Sequence, residues 1–362
     1  MQLNKLFFVC LVLCLTSPLS SPNGFAQTDS VKVELDNRSV VGRALGYDGK
    51  QLALLLRDGQ IQLFPTQADK ISQLGKPFKP YSMPQLKKAF FDEFKTRYDV
   101  STTDNFVVVH PWGDATTWAF PFDDFHRRFV SFFEDRGFEI KEPEIPLIAM
   151  VLRSRNDFDR SLINEVQRHD SRIAGYYSRI TNRITTYDPA GQLRLAEDRW
   201  MYSSWAIIHE ATHQSAFNSG VHNRFAPPPL WLAEGLATMF EARGVNDHEK
   251  FTKASDRVNR RRLGELRKFL DTPQFYDGLV NLIANDKLYF THLEMAYGIS
   301  WGLVFYLSET QPKKFYEFIA KDAKRKNFQP YSSEQRLRDF AKAFGNDFEK
   351  LATDLQRYYR KK

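Results

Sequence analysis

From Val31 to about Leu74 the chain alternates apolar and polar residues in five short runs: Val31–Leu35, Val40–Tyr47, Gln51–Leu56, Gln60–Phe64 and Asp69–Leu74. Period-two alternation puts every second side chain on one face of a sheet, so each run reads as a half-buried strand. Asp48-Gly49 and Asp58-Gly59 stand between runs, where Asp-Gly supplies the backbone freedom of a tight hairpin. Strands packed this closely along the chain predict a small all-β barrel, SH3-like or Sm-like, over residues 27–76, serving as a packing or docking module. Pro77, Pro80 and Pro84 then interrupt the pattern and mark a linker over 77–84.

Beyond the prolines the period alternates between helical and extended. The pattern predicts a helix over Gln85–Tyr98, a strand at Phe106–His110, an aromatic-rich helix over Phe122–Arg136 and a strand at Pro146–Leu152. A hairpin of Ile173–Ser178 and Ile180–Tyr187 follows. After it the chain reads as helices almost throughout, among them Arg199–Asn218, Trp231–Glu241, Leu293–Glu309, Lys313–Arg325 and Asn346–Lys361. Strands mixed with helices first, then helices alone, is an α+β plan.

The first two helices after the hairpin carry the chemistry. Arg199–Asn218 contains HEATHQ at His209 to Gln214, is free of Gly and Pro, and is closed by Gly220. Residues four apart share a helix face, so His209 and His213 can aim two imidazole nitrogens at one metal ion, with Glu210 beside them. A third protein ligand is then needed, and Glu234, in the apolar helix WLAEGLATMFE, is a carboxylate in a suitable place. His222, in the polar, proline-bounded loop between the helices, reads as a surface residue and is left out of the site. The metzincin extension HExxHxxGxxH would need Gly at 216 and His at 219, and the chain has Ala216 and Ser219.

HEATH with WLAEG resembles the gluzincin metallopeptidases, and WLAEGLATMFE is especially similar to the third-ligand segment of membrane-alanyl-aminopeptidase-like enzymes. From about Pro84 onward the chain resembles secreted bacterial proteins with a peptidase-MA-like domain, most of them grouped under domain-of-unknown-function names. The resemblance implies a zincin-like domain over 85–362, with a mixed sheet and a helical C-terminal part. It implies one Zn2+ per chain held by His209, His213 and Glu234, and Glu210 as the general base that takes a proton from water and passes it to the leaving amine. Glu241 reads either as a solvated residue near a helix end or, by the resemblance, as the carboxylate orienting a zinc histidine. Tyr297 reads either as a core tyrosine or as a donor to the oxyanion of the intermediate. The exopeptidase signature GxMEN and thermolysin-type companion motifs are absent, which points to an endopeptidase acting on peptide or protein. Ile180–Tyr187 is the expected edge strand for an extended substrate. A non-catalytic, zincin-scaffold binding protein of the cell envelope is the alternative.

Lys5, the apolar run Leu6–Leu15 and a polar stretch ending at Ala26 have the layout of a secretory signal peptide, 1–26, too short to span a bilayer. The expected protein is exported, periplasmic or extracellular, with no stable membrane insertion after cleavage. Both cysteines, Cys10 and Cys14, fall in that segment, so no disulfide is expected in the mature chain. Net charge is +7, and +6 once Lys5 is removed, since no acid or other base lies in residues 1–26. That excess does not indicate nucleic-acid binding. The basic runs Arg260–Arg262 and Arg360–Lys362 read as solvated faces.

Overall fold

The computed structural model of the chain describes residues 29–35, 38–47, 50–65, 71–113, 115–162, 173–189 and 196–362. The proposed signal peptide and the Asp48-Gly49 turn lie outside them. The described residues form two compact units, one holding those up to Asp124 and from Glu142 to Ile207, the other Phe125–Lys141 and Ile208–Lys362. The architecture is mixed α+β, with two five-stranded sheets and many helices.

In the first unit, β1 (Asp29–Leu35), β2 (Arg38–Tyr47), β3 (Gln51–Leu56), β4 (Ile61–Pro65) and β5 (Ile71–Pro77) form an antiparallel sheet in the order β4-β3-β2-β1-β5. All five strands expected from the alternation are present, but no closed barrel is seen among the described residues. Closure would need β4 to pair with β5, and among the described residues β5 pairs only with β1 and is exposed along nearly its whole length. The Asp58-Gly59 turn is as expected, with Gly59 at φ 88°, where a side chain is disfavoured.

The two faces of β3 serve different cores. Leu52 and Leu54 pack with Val31, Val33, Ala44 and Phe64 within the first sheet. Leu55 turns the other way and packs with Leu86, Phe90, Val107, Val109, Ile148 and Met150. An Arg43–Glu144 pair with contacts of 2.6 and 2.8 Å and an Arg183–Asp58 pair at 2.9 Å tie the same two regions together.

The second sheet has the order β6-β7-β8-β10-β9, from β6 (Asp99–Thr102), β7 (Phe106–His110), β8 (Leu147–Leu152), β9 (Gly175–Ser178) and β10 (Arg183–Tyr187). FVVVH and LIAMVL, the continuous apolar runs, are the parallel pair β7 and β8, buried as interior strands between two covered faces should be. The expected hairpin is present as β9 and β10, turning through Asn182 at φ 59°. The edge assignment was wrong, however, because β10 is hydrogen-bonded to β8 on one side and β9 on the other. A strand paired on both sides has no free ladder for a substrate; the edges of this sheet are β6 and β9.

Helix α1 (Met83–Phe94) starts at a Ser82/Gln85 capping box with Pro84 in its first turn, and ends earlier than its apolar pattern suggested. Helix α2 (Ala115–Glu134) runs through Pro121 instead of starting after it. Helix α3 (Arg155–Leu162), mostly polar, was not anticipated, and neither was the short strand β6.

The second unit is helical. It comprises the later part of α2, α4 (Ala196–Asn218) from Ile208 onward, α5 (Leu230–Phe240), the one-turn α6 (Arg243–Asn246), α7 (Arg260–Leu270), α8 (Gln274–Ala284), the one-turn α9 (Leu288–Thr291), α10 (Leu293–Thr310), α11 (Pro312–Asp322), α12 (Ser333–Phe344) and α13 (Phe348–Arg360). Every residue of α5 is buried, and all but Glu234 and Thr238 are apolar or glycine. Phe129 and Phe132 of α2 lie 5.0 and 4.8 Å from Phe240, ring centre to ring centre, and form the aromatic floor under its C-terminal end. No helix among the described residues is long and apolar enough to cross a membrane.

Glycines set how closely the central helices approach. A Cβ on Gly235 would lie 2.5 Å from Val304 Cγ2 and 2.7 Å from the Ser300 carbonyl oxygen, so α5 rests directly on the backbone of α10. Gly298 does the same for α10 against α7, where a Cβ would fall 2.9 Å from the Leu266 nitrogen. Gly235→Ala should therefore cost about 1–3 kcal/mol in urea unfolding. Gly264→Ala, with nothing within 4 Å of its new methyl, should instead gain up to about 1 kcal/mol from helix propensity. Equal effects from the two substitutions would refute the close-packing account.

Candidate metal centre

The i, i+4 spacing on α4 brings the His209 and His213 rings to 4.9 Å between centres. Their Nε2 atoms lie 3.2 Å apart. Glu234 comes from α5, whose first turn is anchored by Asp286: the Leu230 N–H donates to Asp286 at 3.1 Å, and Arg336 holds the same carboxylate by two bonds of 2.8 and 2.9 Å. Trp231, packed on Phe318 and Phe340, fixes the rotation of that turn. One Glu234 oxygen is then 3.1 Å from His209 Nε2 and the other 3.5 Å from His213 Nε2. All three side chains are buried, and the group could hold a metal ion.

The donor set fits one small cation. Four-coordinate zinc, with bonds of about 2.0–2.1 Å to nitrogen or oxygen, separates neighbouring ligand atoms by about 3.3 Å. The two Nε2 atoms, 3.2 Å apart, and the Glu234 oxygen 3.1 Å from His209 Nε2 are near that edge length, while the contact to His213 at 3.5 Å is made by the other Glu234 oxygen, and one ligand atom from each of the three residues lies within 4.8 Å of the others. Two imidazoles and a carboxylate also suit cobalt or manganese, so the ligand types alone do not single out the ion.

A second layer of side chains holds these three. His209 Nδ1 lies 2.9 Å from Glu241 Oε1, which places Glu241 behind the ring instead of in solvent. Asn259, the N-cap of α7, donates to the other Glu241 oxygen and to the Thr238 carbonyl oxygen, both at 2.8 Å. Tyr297 of α10 is buried, with its ring 6.4 Å from His209 and its phenol close enough to Glu234 to feel that carboxylate's charge. Tyr289 packs edge-on against Tyr297 and bonds Ser300 at 2.7 Å. Glu210 is 1% exposed, and its charge acts on His209.

The charges follow from this enclosure. Burial by itself would depress His209, but hydrogen bonds to Glu234 and Glu241, reinforced by the Glu234 and Glu210 charges, raise it to about 9. Burial would raise Glu234, yet His213 and His209 hold it well below the usual carboxylate range. Glu241, also pushed up by burial, is brought down to about 2 by Arg262 and His209. Burial and the Glu234 charge keep Tyr289 and Tyr297 well above their ordinary value, so both remain neutral phenol donors.

Two expectations fail in this region. Arg262 was read as part of a solvated run, but its side chain is 0% exposed and pairs with Glu265 at 2.8 Å and Glu241 at 3.3 Å. The signal that could have revealed it is its neighbourhood, since Leu263, Leu266 and Leu270 draw that side of α7 inward. His222 was read as a surface residue, but it is 2% exposed, packs on Phe217 at 5.3 Å, and neither ring nitrogen has a hydrogen-bond partner among the described residues. Burial together with the nearby His213 depresses it to about 3, so its imidazole is neutral.

Residues 204–329 match the model of a family described as a protein of unknown function, DUF1570. The matched stretch contains the whole His209, His213 and Glu234 group with Glu241, Arg262 and Tyr297. No curated protein matches the chain.

The proton on His209 gives a signed prediction. In the metal-free protein its stabilisation is complete below the ordinary histidine pKa of about 6.5 and is lost as pH rises through about 9. A metal ion must displace that proton, so apparent metal affinity should rise about tenfold per pH unit from pH 6.5 and level off near 9. Chelator competition at several pH values measures this slope; affinity independent of pH over that window would contradict the assignment.

Proposed function

We propose that the protein is an exported zinc-dependent peptidase, acting as an endopeptidase on peptide or protein substrates. The observation that carries the reading is the preassembled, buried His209, His213 and Glu234 group with Glu210 next to His209 on the same helix. Zinc held there would supply Lewis-acid chemistry, polarising a carbonyl and easing deprotonation of water. Glu210 would take the proton of the attacking water and return it to the departing amine nitrogen. Glu241, 2.9 Å from His209 Nδ1, would hold the ring so that Nε2 faces a bound ion, and the Tyr297 phenol, buried beside Glu234, would be the donor to the oxyanion. The HEATH and WLAEG segments support a gluzincin-type catalytic domain, and the order β4-β3-β2-β1-β5 supports an SH3-like module before it. The N-terminal layout through Ala26 supports export.

The test is Glu210→Gln. Hydrolysis of an unfolded protein substrate should fall at least about a hundredfold while zinc content stays at the wild-type level. Unchanged hydrolysis in the variant would sink the catalytic assignment.

A further inference from the structure

Arg262 is the most deeply enclosed cation near the site, and nothing in the proposed chemistry uses it directly. Its guanidinium lies 4.5 Å above the centre of the Tyr297 ring, bonds Glu265 at 2.8 Å through Nη1, and reaches Glu241 Oε1 at 3.3 Å through Nη2. That Glu241 oxygen is the one 2.9 Å from His209 Nδ1. Asn259 takes the other Glu241 oxygen, and its own side-chain oxygen accepts the Arg262 backbone N–H at 3.2 Å. The carboxylate behind His209 is therefore clamped at both oxygens by the first turn of α7.

A guanidinium taken fully out of water is costly unless its partners are well placed, and loss of one partner leaves the others stranded. Here the partners are two buried carboxylates and an aromatic face, an arrangement that suits a planar fork and not a point charge. With the fork gone, Glu241 could rotate about its last bond and release the orientation of the His209 ring, whose Nε2 lone pair is directed only while Nδ1 stays fixed.

We propose that Arg262 is a positioning residue for the metal centre, setting how tightly the site holds its ion by clamping Glu241 behind His209. The inference rests on the metal-site reading above but not on peptidase activity. Its test is zinc affinity of the full chain, by chelator competition, for wild type, Arg262→Met, Arg262→Lys, Glu241→Gln and the Arg262→Met/Glu241→Gln double variant. The visible spectrum of the cobalt-substituted proteins reports ligand geometry in parallel.

Arg262→Met should weaken zinc binding about 10–100-fold and alter the cobalt spectrum, with Arg262→Lys between it and wild type. The double variant should bind within about twofold of Glu241→Gln alone, since both changes cut the same link. If Arg262→Met does not fold, Arg262→Lys carries the test through its affinity and spectrum. Wild-type affinity and spectrum in both Arg262 variants, or losses that simply add in the double variant, would overturn the inference while leaving the metal site standing. A wild-type chain that binds no zinc at all would overturn the metal site, and the inference with it.

Discussion

Glu210, Glu234 and Glu241 are each held in the interior with side chains exposed by no more than a few per cent, and carboxylates so enclosed persist only where positive charge or donors surround them. The local structure follows from meeting that demand. His209 and His213 face Glu234, while His209 and Arg262 face Glu241. Without an ion, a proton on His209 balances part of the charge, which is why that imidazole is raised to about 9. An ion between the two Nε2 atoms and Glu234 would serve the same balance with one more positive charge, and the ligand separations already have the spacing it requires.

Such a cluster needs rigid walls. The close seats made by Gly235 on α10 and Gly298 on α7 fix the three helices that carry Glu234, Tyr297 and Arg262. Asp286 with Arg336 secures the first turn of α5, and the aromatic floor around Phe240 secures its last. Precision at the ligands is thus a property of helix packing, with the polar second layer giving the final orientation.

What could be read in the sequence was whatever rests on a fixed local period. His209 and His213 are one helical turn apart wherever their helix forms, and the five strands of the first sheet follow from alternation with Asp-Gly between runs. The parallel strands β7 and β8 were visible as unbroken apolar runs. What escaped depends on contacts far along the chain. The inner position of β10 is decided by β8, thirty-five residues earlier at their first paired residues, Ile148 and Arg183. The open order of the first sheet is likewise a pairing property that alternation does not encode. Arg262 sits in a run of three arginines that looks solvated, and its burial depends on Glu241 and Tyr297 arriving from other helices. His222 follows a helix-ending glycine in a polar segment, where local composition predicts exposure, yet it packs back onto Phe217. The aromatic-rich helix was expected from Phe122, while α2 begins at Ala115 and carries Pro121 in its interior.

The most direct test of the central claim is the metal content of the purified chain beside its Glu234→Ala variant, by elemental analysis after dialysis. A buried site of two imidazoles and one carboxylate should retain about one divalent ion per chain in the wild type and almost none in the variant. No retained ion in the wild type, or the same content in both proteins, would contradict the assignment of His209, His213 and Glu234 as a metal centre.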